Sequence, residues 1–120
     1  MQTILFIGEQ RSQKAKKMGV HWKDGRLAAK QLFDALRYCG IDPTQHLYVN
    51  VWEKLGTNIR SIVNHNGLRV AMGDKVSNFL KAAKVEHVKI THPAARGAIR
   101  KKKVYCTHVK DVMTQAGVIK

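Results

Sequence analysis

The sequence predicts an α/β domain in which a four-stranded parallel sheet is covered by helices on both faces, a three-layer sandwich. Three observations predict it. Four short aliphatic segments, 3–7 (TILFI), 47–51 (LYVNV), 68–72 (LRVAM) and 86–90 (EHVKI), have strand-like composition and stop at turn or polar residues. Stretches with the apolar spacing of a helix lie between them and after the last. The connections are long enough to hold a helix, as parallel pairing requires.

The elements follow in order. The first strand looks buried and ends at Gly8-Glu9. The basic stretch RSQKAKK, 11–17, reads as a loop. A helix over 24–39 is predicted from Ala28, Leu32, Ala35, Leu36 and Cys39, which recur on one face. Asp24 is its candidate N-cap, and Gly40 and Pro43 supply the stop. The second strand closes on Asn50, and part of 55–65 reads as a second helix. The third strand looks buried like the first. After Gly73, a helix starting at Asp74 presents Val76, Phe79, Leu80 and Ala83 on one side. The fourth strand ends in Thr91-His92-Pro93. A last helix runs from Thr107 to Ala116, with Val109, Val112, Met113 and Ala116 at helical spacing before Gly117. No repeat or linker interrupts the chain, so residues 1–120 are expected to form one domain.

Composition narrows the function classes. A hydrophobic content of 44% and only two prolines in 120 residues argue against disorder. No apolar run approaches the roughly 18 residues of a membrane span, and MQTILFIGEQ reads as a strand rather than a signal peptide. A monomer without a membrane partner is expected, inside the cell: cytoplasmic or nucleoid-associated, in a bacterium or a virus-infected host. Cys39 and Cys106 read as reduced thiols. The six histidines are scattered without a helical i, i+4 pair, so no metal or other cofactor is expected.

Charge is the strongest compositional signal. Lys and Arg number 22 against 8 Asp and Glu, a formal +14, which suits a polyanionic partner. Nucleic acid is favoured over a membrane surface because the cations fall in loop-like runs rather than along one long amphipathic helix. The expected phosphate contacts are Arg11, Lys14, Lys16 and Lys17 in the first run, and Arg96, Arg100, Lys101, Lys102 and Lys103 in the second.

In an open parallel sheet, ligands bind outside the carboxyl ends of the strands. The residues there are Gly8 and Glu9, Asn50, Gly73-Asp74 and His92. A carboxylate at Glu9 can position a water. The Asn50 carboxamide offers a donor and an acceptor, as reading a nucleobase edge requires, and capping a turn is the other use of such an asparagine. His92, held by Pro93 in an extended or turn conformation, can donate a hydrogen bond to an oxygen gaining charge, although a lone histidine is also a common structural residue. Trp22, in the basic GVHWKDG segment, suits either stacking on a base or covering the core.

The segments ILFIGEQ, GVHWKDG, LYVNV, VAMGDKVSNFL and ITHPAARGAIR, in this order and spacing, resemble the uracil-DNA glycosylase superfamily, most closely family four. The resemblance covers nearly the whole chain, and its His-Pro loop is the most specific part. It implies Glu9 for the water, Trp22 for the face of the base, Asn50 for its polar edge and His92 for its O2, with Gly8 beside the base. GEQRS replaces the family's GEAPG loop, placing Arg11 and Ser12 where that loop approaches the substrate. The cysteines that hold an iron-sulfur cluster in family four have no counterparts, so no cluster is expected. The resemblance thus implies a minimal DNA glycosylase that flips a base, most readily uracil, from single- or double-stranded DNA and hydrolyses its N-glycosidic bond in DNA repair. Two alternatives stand beside it: a non-catalytic nucleic-acid-binding member and a glycosylase for a modified base.

Overall fold

The four aliphatic runs form the four strands of the central sheet. The computed structural model describes residues 3–10, 12–53 and 56–119. In chain order its elements are β1 (Leu5–Gly8), α1 (Gln13–Met18), α2 (Ala28–Tyr38), β2 (Leu47–Asn50), β3 (Trp52–Glu53), β4 (Gly56–Thr57), α3 (Ile59–Asn64), β5 (Arg69–Met72), α4 (Asp74–Ala82), β6 (Val88–Ile90) and α5 (Lys102–Gln115). The sheet order is β2-β1-β5-β6 and every pairing in it is parallel. The register sets Gly8 opposite Asn50 and Met72 opposite Ile90, which brings the strand ends to one edge.

Alternation along the strands sends side chains to two cores. Ile4, Phe6, Val70, Met72 and Ile90 pack with α2 and α5 through Leu32, Leu36, Tyr105, Val109 and Met113. Leu5, Ile7 and Ala71 pack on the opposite face with Ile62 of α3 and Val76 and Leu80 of α4. Helices therefore cover both faces, as the α/β prediction requires. Among the described residues no helix is long and apolar enough to cross a membrane.

Four local features differ from the sequence reading. Residues of the 11–17 run form α1 instead of a loop: Ser12 Oγ accepts the Ala15 N–H at 3.1 Å, and Gly19 closes the helix at φ 68°. This helix buries nothing, so it has no apolar period to betray it. Asp24 caps a 3₁₀ turn, Trp22–Asp24, accepting the His21 N–H at 2.7 Å, and α2 begins only at Ala28. Helix α5 starts at Lys102, five residues before the predicted Thr107, because Tyr105 and Cys106 extend its buried stripe by a turn. Its first residues belong to the basic run, so both cationic runs are partly helical. Finally, β3 and β4 form a short antiparallel hairpin, too brief to show alternation.

Candidate functional site

The chain leaves β1 toward β2 with α2 on one face, and leaves β5 toward β6 with α4 on the other. The loops after β1 and β5 diverge, opening a crevice at the carboxyl edge. Hairpin strand β3 borders it: the Val51 and Trp52 N–H groups donate to the Gly8 and Glu9 carbonyls at 2.8 and 3.0 Å.

Gly8, Trp22 and Asn50 meet at this edge. The Trp22 Nε1–H donates to Asn50 Oδ1 at 2.7 Å, and Asn58 Nδ2 donates to the Asn50 carbonyl at 2.7 Å. Asn50 is buried, so an unpaired Oδ1 would be costly. A side chain at position 8 would put its Cβ 2.6 Å from Asn50 Oδ1 and 2.8 Å from Trp22 Nε1. Only glycine admits this approach. Trp22 both packs against the α2–α5 core and turns its ring toward His92, centroids 5.8 Å apart at 64°. The Asn50 acceptor expected to read a base is thus engaged by the indole, leaving the Nδ2 donors.

His92 sits across the crevice. Its Nδ1 accepts the Ala94 N–H at 3.0 Å, so the neutral imidazole carries its proton on Nε2. Burial lowers the His92 pKa from the ordinary 6.5, with the Glu9 charge pulling weakly the other way. At neutral pH the ring is an uncharged donor. Helix α5 clamps the preceding residue: the Thr91 N–H donates to His108 Nε2 at 2.9 Å and its carbonyl accepts from the Tyr105 hydroxyl at 2.8 Å. Sequence reasoning missed both partners, whose only signal was their i, i+3 spacing on the inner side of the last helix.

Glu9 follows a different geometry. Its Oε1 accepts from Lys75 Nζ at 3.0 Å, and the same ammonium lies 5.3 Å from the Trp52 ring centroid. Both side chains are substantially exposed, so the pair adds little stability, but it balances the charge of the loop. Lys75 was absent from the sequence-derived site. A pocket of about 230 Å³ is lined by Trp22, His92, Gln10, Ser12, Lys14 and Arg26 among others. Glu9, Gly8 and Asn50 are not part of its wall, and Asn50 lines a neighbouring pocket on the other side of Trp22.

The predicted phosphate contacts separate. Lys14, Lys16 and Lys17 are exposed on α1; Arg96, Arg100, Lys101 and Lys103 are exposed beyond His92. Lys102 pairs with Asp34 at 3.5 Å. Arg11 lies outside the described residues. Among the described residues no group of three His, Cys, Asp or Glu side chains gathers as a metal site. Burial raises the pKa of both thiols, Cys39 and Cys106, which leaves them poor nucleophiles.

Three histidines share one role. His46 Nδ1 accepts the Ile4 N–H at 2.9 Å, as His92 and His108 accept those of Ala94 and Thr91. Burial lowers the pKa of all three from 6.5; at His108 the Asp111 charge opposes this and Lys89 reinforces it. Below about pH 6.5 the unfolded chain takes up protons that the folded chain refuses, so stability falls with pH until the folded values are passed. Each group contributes a slope of at most about 1.4 kcal/mol per pH unit. Tm is expected to fall between about pH 7 and pH 5 and to stay level between about pH 7 and pH 8. A Tm that holds or rises on acidification would refute this role.

No protein-family model matches the chain, and none of the curated proteins compared with it matches significantly.

Proposed function

We propose that the protein is a DNA glycosylase of the uracil-DNA glycosylase type, acting as an intracellular monomer. It binds DNA, takes one base out of the stack and hydrolyses the N-glycosidic bond. The observation that carries the reading is His92: with Nδ1 engaged by the Ala94 N–H, its neutral ring offers Nε2–H beside Trp22 at a pocket edged with cations.

The chemistry follows from where charge develops. As the C1′–N bond breaks, its electron pair passes to the base and the sugar becomes cation-like. The Nε2–H of His92 stabilises the negative charge growing on a base carbonyl and Trp22 supplies an apolar face; Asn50, behind that ring, holds it through Oδ1, and its Nδ2 donors reach a base edge when the indole turns aside. A water adds its oxygen to C1′ and its proton passes through solvent to the departing base anion; Glu9, exposed beside the pocket and paired with Lys75, places that water with its second carboxylate oxygen. The products are an abasic sugar and the free base.

The Trp22–Asn50 bond favours a second reading, in which the site holds a base without cleaving it. Gln10 in the pocket wall favours a third, a modified base as substrate. One assay separates them. Uracil-containing single- and double-stranded DNA, incubated with the protein and chelator, is expected to acquire alkali-labile abasic sites. Tight DNA binding without release of uracil or any modified base tested overturns hydrolysis and leaves the binding reading.

A further inference from the structure

Beyond the Trp22–His92 pocket lies a second one of about 360 Å³, lined by Gln31, Pro93, Arg96 and Arg100 together with Leu27, Ala28 and Ala94. The last three also line the first pocket, so the two adjoin across a shared wall. Neither wall contains an Asp or Glu. Their cations, Lys14, Arg26, Arg96 and Arg100, form no ion pair among the described residues, whereas Lys30, Arg37 and Lys102 are all drawn to Asp34. This surface keeps its positive charge for a ligand.

The shared wall holds a strained residue. Leu27 has φ 57° and ψ −129°, a backbone conformation that L side chains rarely adopt and glycine reaches without penalty. Its side chain is only half-buried, so core packing does not account for a leucine there. Strain of this kind gathers at ligand sites, where the side chain it presents has a use.

We propose that the two pockets are consecutive nucleotide sites of one track for single-stranded nucleic acid. The first takes a base against Trp22; the second takes the neighbouring phosphate on Arg96 and Arg100; Leu27 supports the nucleotide between them. An apolar, aromatic site beside a cationic one matches a strand whose bases are already free to stack on protein. A duplex offers its phosphates to such cations but keeps its bases paired, and must break that pairing before any base reaches the first pocket. The inference rests on the first pocket being a base site, as proposed above, and it names the substrate form that site selects.

Fluorescence anisotropy with a labelled uracil-containing single strand, and with the same strand annealed to its complement, tests the track. At matched moderate salt the single strand is expected to bind at least about tenfold tighter. Arg96→Gln with Arg100→Gln is expected to flatten the dependence of log K on log salt by about 1.4, two contacts at roughly 0.7 each. Leu27→Gly is expected to weaken single-strand binding at least about fivefold while Tm holds or rises, because glycine relieves the strain. Leu27→Met, which keeps the bulk, is expected to retain affinity. Equal or tighter duplex binding, or wild-type affinity in Leu27→Gly, overturns the proposal. Base release is read in the same samples: tight single-strand binding without release refutes hydrolysis and keeps the track, whereas release from both forms without preference does the reverse.

Discussion

His92→Ala is expected to lower single-turnover base release about 10²- to 10³-fold, the usual loss when one donor to a developing anion is removed. DNA affinity is expected to stay within about twofold, because phosphates dominate binding and the exposed cations remain. The size of the effect follows from the neutral ring. Its Nδ1 is committed to the Ala94 N–H, so Nε2–H is the donor it offers, and burial keeps it uncharged at neutral pH. The Thr91 clamp from Tyr105 and His108 holds the backbone before it, so the loop keeps its course when the imidazole is cut away. A variant that folds, binds and releases base at more than about a tenth of the wild-type rate removes His92 from the chemistry.

Raising salt fourfold, from about 50 to 200 mM, is expected to weaken single-strand binding about 50- to 300-fold. The arithmetic assumes four to six phosphate contacts, each contributing roughly 0.7 to the slope of log K against log salt. The cations available are Lys14, Lys16 and Lys17 on α1, and Arg96, Arg100, Lys101 and Lys103 beyond His92, all exposed. Lys102 is expected to contribute least of its run, since releasing it from Asp34 offsets part of what a phosphate would supply. Titrations at several salt concentrations measure the slope directly. A slope near zero would mean that the excess charge serves something other than nucleic acid.

Much of the architecture was legible because burial leaves a periodic trace. Strands β1 and β5, covered on both faces, read as short apolar runs, Leu5-Phe6-Ile7 and Val70-Ala71-Met72, without polar alternation. Helices α2 and α4 face a core on one side only, so Leu32 and Leu36, or Val76 and Leu80, recur at helical spacing. Parallel order followed from connection length, and with it the convergence of Gly8, Asn50 and His92 on one edge. Where burial was slight the trace failed: α1 buries no side chain, and the hairpin strands have two residues each.

The sequence by itself thus determined the layers, the edge at which the strand ends gather and the positive charge of the chain. What each site residue does there was decided by tertiary structure. Trp22 and Asn50 are 28 residues apart, Glu9 and Lys75 are 66 apart, and Thr91 is clamped from a helix 14 and 17 residues further on. No local pattern encodes such pairings. A short polar contact forms only when packing elsewhere has brought its two ends within about 3 Å, and such contacts set which atom of Asn50 is engaged and which cations are paired, whereas the nitrogen that His92 offers is set locally by the Ala94 N–H two residues on.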